Sequence, residues 1–140
     1  MASASFSHSA PVNASRDDVW ERLQEAEAWA AIGPIDKVWD ATHDGAGLLE
    51  SFQWSAHAAG RNFNGSAQTS AAIPAERMVI DIKTSEVAGA IEVTLSDGAI
   101  EATMSLHPVG FLASLFFGAV ASTVGEGLPG HVDEFAAQFG

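Results

Sequence analysis

The middle of the chain alternates apolar and polar residues with a period of two, which is typical of strands that bury one face. The alternation is clearest around Ile80, Val93 and Met104, and Ser96-Asp97-Gly98 is a strong hairpin signal. A weaker alternation over residues 4–12 predicts a first strand. The pattern predicts six further strands near 35–42, 48–57, 62–72, 77–83, 91–95 and 100–106.

Helical patterns flank these strands. Residues 13–23 begin with capping and acidic residues, and residues 26–32 are followed by a glycine and a proline, so two short helices are predicted. A final helical region is predicted from Pro108 to Phe139. The glycines and the proline within Gly125–Gly130 predict a break or a kink there, which would act either as a hinge or as a static bend against a curved sheet.

The order of elements is one strand, two short helices, six strands joined by hairpins, and a long helical region. Strands with one apolar face pack as an antiparallel sheet that is covered on one side, and the last helical region is the element left to cover it. The sequence therefore predicts an α+β fold, in which a curved sheet of about seven strands wraps around a long C-terminal helix. The length of 140 residues suits a single domain over residues 1–140.

Charge and composition exclude several classes of function. Lys and Arg number 6 against 18 Asp and Glu, a formal net charge of −12. This charge repels phosphate backbones and anionic headgroups, so no nucleic-acid partner is predicted. The chain has no cysteine, and its five histidines show no metal-ligand spacing, so no metal and no cofactor are predicted. The first residues lack the pattern of a secretory signal, and the expected location is cytoplasmic.

The segment 102–125 carries no Asp, Glu, Lys or Arg. A membrane-spanning helix needs about 20 strongly apolar residues. Glycine, proline, serine and threonine dilute this segment, and no basic residue flanks it. A buried helix is therefore predicted in place of a transmembrane span.

Several motifs resemble the helix-grip superfamily, which includes START domains, Bet v 1-like proteins and polyketide cyclase/dehydrase-like proteins. They are the segments 10–23 and 29–34, the glycine-rich turn 45–47 and the apolar C-terminal region. The hairpin 93–98 and the tail 132–139 also resemble the CoxG-like branch, which is named for a carbon monoxide dehydrogenase protein. The resemblance extends over the whole chain. It implies an apolar cavity between sheet and helix for a lipid, a quinone, a polyketide or a similar molecule.

Residues on the predicted inward faces are candidates to line such a cavity. Aromatic and methionine side chains adapt to irregular apolar ligands, and a strand rich in small residues leaves volume beside them. The candidate ligand-binding residues are Trp54, Phe63, Thr69, Met78, Met104, Leu112, Leu115 and Phe116. The alternative is that these side chains only fill the core. Phe111 and Phe117 lie off the main helical face and are expected to be exposed.

Glu50 is the one candidate catalytic residue. Strict alternation places it in phase with Leu48, Phe52 and Trp54, on the inward face. A carboxylate there would lose part of its hydration and could serve as a general acid–base group or as a hydrogen-bond partner of a ligand. The alternative is that strand twist or a bulge leaves Glu50 in solvent.

Three functions remain open. The first is non-catalytic binding or carriage of a hydrophobic small molecule, which the small number of inward polar groups favours. The second is a cyclase or dehydratase that uses Glu50, although the chain has no tyrosine and few arginines to act beside it. The third is an accessory component of an oxidoreductase, with a protein partner or a second copy of the chain.

Overall fold

The structure, a computed structural model, describes residues 3–33 and 35–139, with the backbone alone for Phe111 and Leu112. The described residues form seven strands and four helices. In chain order these are β1 (Ala4–Pro11), α1 (Arg16–Arg22), α2 (Ala26–Ile32), β2 (Lys37–His43), β3 (Leu49–Ala58), β4 (Arg61–Ile73), β5 (Arg77–Lys83), β6 (Val87–Ser96), β7 (Ala99–Pro108), α3 (Phe111–Ser114) and α4 (Phe117–Ala137).

The seven strands form one antiparallel sheet in the order β1-β7-β6-β5-β4-β3-β2. Consecutive strands from β2 to β7 are neighbours, and β1 pairs with β7. The apolar positions of the alternation, such as Ile80, Ile91 and Met104, are buried in one hydrophobic core together with the inner faces of α2 and α4. This arrangement confirms the predicted α+β architecture. No helix of the described residues combines the length and the hydropathy needed to cross a bilayer.

The two short helices lie where the sequence predicts them. The Oγ of Ser15 accepts a hydrogen bond from the backbone N–H of Asp18 at 3.1 Å, which caps α1. The indole N–H of the fully buried Trp29 donates to the carbonyl of Leu23 at 2.8 Å and so ties the end of α1 to α2. Together α1 and α2 connect β1 to β2.

The prediction of a break at Gly125–Gly130 is wrong, because α4 is continuous through Pro129. A proline inside a helix costs about 3 kcal/mol. The buried face of α4 continues past it through Val124, Leu128 and Val132, and each such side chain contributes roughly 1.5–3 kcal/mol on burial. Packing against the sheet therefore outweighs the local cost. The helical region breaks instead between Ser114 and Phe117, where α3 ends and α4 begins.

Close packing of α4 on β1 depends on Gly125. A Cβ atom at this position would lie 2.4 Å from the ring of Phe6 on β1. We expect Gly125→Ala to lower the free energy of unfolding by about 1–3 kcal/mol, because the ring and the helix must move apart. Urea denaturation followed by circular dichroism measures this change.

Gly130 provides the matched control, since it lies in the same helix and a Cβ there would meet nothing within 4 Å. Gly130→Ala is expected to raise the free energy of unfolding by up to about 1 kcal/mol through helix propensity alone. Equal effects of the two substitutions would contradict the proposed contact between Gly125 and Phe6.

Candidate ligand cavity

A cavity of about 50 Å³ lies between the concave face of the sheet and α4. The strands β3 to β7 form one wall, with Trp54, Phe63 and Met104 among the lining residues. Val120 and Val124 of α4 form the opposite wall. The cavity is therefore bounded by the two layers whose apolar faces the sequence pattern predicts.

Trp54 limits the size of this cavity. Its indole N–H donates to the carbonyl of Ser66 at 3.0 Å, so the ring lies across β4. Gly65 makes this position available, because a Cβ there would lie 2.6 Å from the indole ring. The indole occupies space that a smaller side chain would leave to the cavity.

The described lining is almost entirely apolar. Thr84 is its one polar residue, and its hydroxyl is already used within the turn between β5 and β6. The Oγ1 donates to the carbonyl of Val87 at 3.0 Å and accepts the backbone N–H groups of Val87 and Glu86 at 2.8 and 3.1 Å. The described walls thus offer a ligand apolar surface and no free acid, base or hydroxyl.

One side-chain contact connects the two layers near an end of the cavity. The guanidinium carbon of Arg61, at the tip of the β3–β4 hairpin, lies 3.7 Å from the centre of the Phe116 ring at the α3–α4 break. The cavity lining includes Ala58 and Phe63, which lie on either side of this tip, and Val120, which follows Phe116 by one helical turn. We call the Arg61–Phe116 pair the mouth contact.

The predicted ligand-binding residues of the sheet divide into two groups. Trp54, Phe63 and Met104 line the cavity, and their role in binding stays a prediction. Met78 is fully buried outside the cavity wall, with its sulfur 3.6 Å from the side-chain nitrogen of Gln24. Thr69 is half-buried and donates to the carbonyl of Leu49 at 2.7 Å.

Two residues of the helical region have a different orientation from the one predicted. Leu115, predicted on the inward face, is 72% exposed. Phe117, predicted to be exposed, is buried. Phe116 is half-buried in the mouth contact. The break between α3 and α4 changes the helical phase, which is why the expectations for Leu115 and Phe117 are wrong. The ligand-binding role of Phe116 stays a prediction, and the side chains of Phe111 and Leu112 lie outside the described residues.

Glu50 does not have the inward orientation that strict alternation indicates; the structure agrees with the alternative, in which a bulge leaves it in solvent. Leu49 and Phe52 are both buried, and Glu50 between them is exposed. In the pairing of β2 with β3, Leu49 lies opposite His43 and Ser51 opposite Thr42, with a register shift that leaves Glu50 unpaired. This β-bulge reverses the alternation and directs the carboxylate into solvent.

The structure adds lining residues that the sequence pattern did not indicate, among them Thr84, Val120 and Val124. The two valines begin a buried series at helical spacing that continues through Leu128 and Val132. This spacing indicates one buried helical face, but a break at Gly125–Gly130 would divide the series into two unrelated parts. Thr84 gives no such signal, because its burial follows from the geometry of the turn.

No protein-family model and no curated protein sequence matches this chain. Solved structures do match. A hypothetical protein from Sulfolobus tokodaii superimposes with a TM-score of 0.61 at 14% identity, over 95% of this chain and 94% of that one. A START superfamily protein from Mycobacterium smegmatis gives a TM-score of 0.59 at 13% identity, over 91% and 96% of the two chains.

The aromatase/cyclase Zhui from Streptomyces sp. R1128 superimposes with a TM-score of 0.57 at 19% identity, over 99% of this chain and 84% of that one. Structural likeness at such low identities establishes a fold and leaves the activity open. The likeness to the CoxG-like branch stays a prediction. The seven-stranded antiparallel sheet, the long α4 and these matches together show that the chain has the helix-grip fold of the START-like proteins.

Proposed function

We propose that this protein binds a hydrophobic small molecule between the sheet and α4 and does not transform it chemically. The observation that carries this proposal is the apolar character of the described cavity walls. Their polar side-chain groups, the hydroxyl of Thr84 and the indole N–H of Trp54, are already hydrogen-bonded within the protein. Burial of apolar surface is the dominant driving force for binding in such a site. The likeness to START-like proteins supports the same function.

The chemistry of the walls limits the class of ligand. A charged or hydrogen-bonding group placed against them would lose its hydration without gaining a partner. The part of the ligand that enters is therefore an uncharged hydrocarbon or aromatic body, such as a lipid tail, a quinone ring or a polyketide-like skeleton. Any polar end of the ligand remains at the surface.

Uptake of such a molecule requires the walls to move. The cavity of about 50 Å³ has room for only a few water-sized spheres, whereas small-molecule sites are commonly about 300–1,000 Å³. We infer that the mouth contact separates and that the indole of Trp54 shifts when ligand enters. The measured affinity is then the affinity of the open state multiplied by the fraction of molecules that are open.

The cyclase alternative has less support. Its chemistry needs an acid or a base within reach of the ligand, and no residue on the described lining provides one. Glu50, the candidate for that role, points into solvent. Binding without catalysis fits the geometry better.

Titration with the neutral fluorophore N-phenyl-1-naphthylamine tests the proposal. We expect saturable binding to one site, with a blue-shifted emission as the probe leaves water. Competition by fatty alcohols, quinones and aromatic polyketide analogues then identifies the preferred class. Emission that increases linearly with probe concentration, without saturation or competition, would overturn the proposal.

The mouth contact gives a kinetic prediction. A cation–π contact at an exposed site contributes about 0.5–1 kcal/mol, and Arg61 is exposed. We expect Arg61→Ala to accelerate release of the probe about two- to fivefold, because the closed state loses this stabilisation. Stopped-flow displacement measures the rate.

Arg16→Ala is the control for this experiment. Arg16 is also an exposed arginine, and it pairs with Asp97 at 3.3 Å. It does not line the cavity, so its removal should leave the release rate unchanged. Equal rates in Arg61→Ala and the unmodified protein would show that the mouth contact does not control release.

A further inference from the structure

The convex face of the sheet, opposite to α4, carries a shallow depression of about 500 Å³. Its described lining includes Trp39, Gln53, Ser66 and Lys83. In the strand register Trp39 pairs with Gln53, Gln53 with Ser66, and Ser66 with Lys83. These four side chains therefore form one row across β2, β3, β4 and β5, and three strand spacings make the row about 14 Å long.

The polar groups in this row are not used within the protein. Elsewhere on the convex face, side chains bond across neighbouring strands, as the pairs Ser7–Thr103 at 2.8 Å and Ser70–Asp81 at 3.1 Å show. Within the described residues, no side-chain hydrogen bond or ion pair involves the side chains of Gln53, Asn64, Ser66 and Lys83, which are four of the six polar residues of the lining. The other two polar residues of the lining, Thr84 and Ser85, use their hydroxyls within the turn between β5 and β6.

Trp39 lies at one end of the row, on the edge strand β2, and is 42% exposed. The regular ladder stops directly after it, because Asp40 takes the left-handed conformation at φ 53° and the pairing shifts before Thr42. A bulge of this kind increases the local twist and changes the direction of the neighbouring side chains. A large aromatic face is thus left open beside free amide and hydroxyl groups.

We infer that this depression binds a neutral oligosaccharide. The indole of Trp39 offers an apolar face to the C–H groups of a sugar ring. The amides of Gln53 and Asn64 both donate and accept, as adjacent sugar hydroxyls do, and the ammonium of Lys83 donates to hydroxyl oxygens. A neutral ligand also suits a chain of net charge −12, which repels anions.

This inference does not depend on ligand binding in the cavity, because Trp39, Gln53 and Lys83 lie on the other face of the sheet. Thr84, in the turn between β5 and β6, is the one described residue that lines both sites. Native affinity electrophoresis tests it, in gels that contain soluble starch, laminarin, hydroxyethylcellulose or galactomannan. We expect at least one of these neutral polysaccharides to retard the protein. Trp39→Ala should weaken that retardation at least tenfold, and Gln53→Ala should weaken it severalfold.

Ile73→Ala is the matched control, because Ile73 is also an exposed apolar residue, at 46%, and does not line the depression. Its retardation should equal that of the unmodified protein. Absence of retardation in all four gels, or equal retardation of Trp39→Ala, would overturn the inference. Retardation only by dextran sulfate, abolished by salt, would overturn it too and would assign the face to anion binding through Lys83.

Discussion

Val124→Trp is expected to abolish saturable binding of N-phenyl-1-naphthylamine. Val124 faces the cavity from α4 and is almost fully buried. An indole at this position needs more space than the cavity of about 50 Å³ provides, so it fills the volume that the ligand would take. Overpacking of this kind costs about 1–3 kcal/mol of stability, and urea denaturation establishes that the variant is folded.

Leu115→Trp is the matched control, since it adds the same side chain to the same helical region at a position that is 72% exposed. It should bind the probe as the unmodified protein does. Ala56→Leu, on the opposite wall of the cavity, should weaken binding with a smaller disturbance of the fold. Undiminished binding by a folded Val124→Trp would place the ligand elsewhere.

Trp54→Ala is expected to lower the free energy of unfolding by about 3–5 kcal/mol, the usual cost when a buried aromatic side chain is truncated. The variant loses the contacts of a ring that is 6% exposed and the hydrogen bond to the carbonyl of Ser66. The volume of the missing indole adds to the cavity. An apolar ligand should therefore recover part of the lost stability in this variant.

Thermal unfolding with and without the ligand preferred in the competition series measures this recovery. Trp54→Ala should show a larger ligand-induced rise in Tm than the unmodified protein, because its walls need less movement to admit the molecule. Trp39→Ala, at a tryptophan on the other face of the sheet, should show no such increase. A loss of stability in Trp54→Ala without any recovery by ligand would indicate a packing role alone.

The architecture was predictable because each of its signals is local. The period-two alternation, the hairpin turn at Ser96-Asp97-Gly98 and the capping residue Ser15 each depend on a few neighbouring residues. The bulge at Glu50 depends on how two strands align, which the sequence of one strand does not specify. Continuity of α4 through Pro129 depends on the total packing against the sheet, which a local propensity rule omits.

The candidate site was predictable only in part, for the same reason. Alternation placed Trp54, Phe63 and Met104 on the face where the structure places them. The size of the cavity depends on how the indole of Trp54 lies against Gly65, a contact between two strands. The likeness to the CoxG-like branch, the cytoplasmic location and association with an oxidoreductase or a second copy stay predictions.

Native mass spectrometry of the freshly purified protein, followed by organic extraction, tests the central claim most directly. If the protein binds a hydrophobic molecule in the cavity, the unmodified protein and Leu115→Trp carry a defined extra mass that extraction removes, and Val124→Trp does not carry it. The extracted compound then identifies the ligand. If all three proteins show only the mass of the chain, or if Val124→Trp retains the extra mass, the cavity is not the binding site.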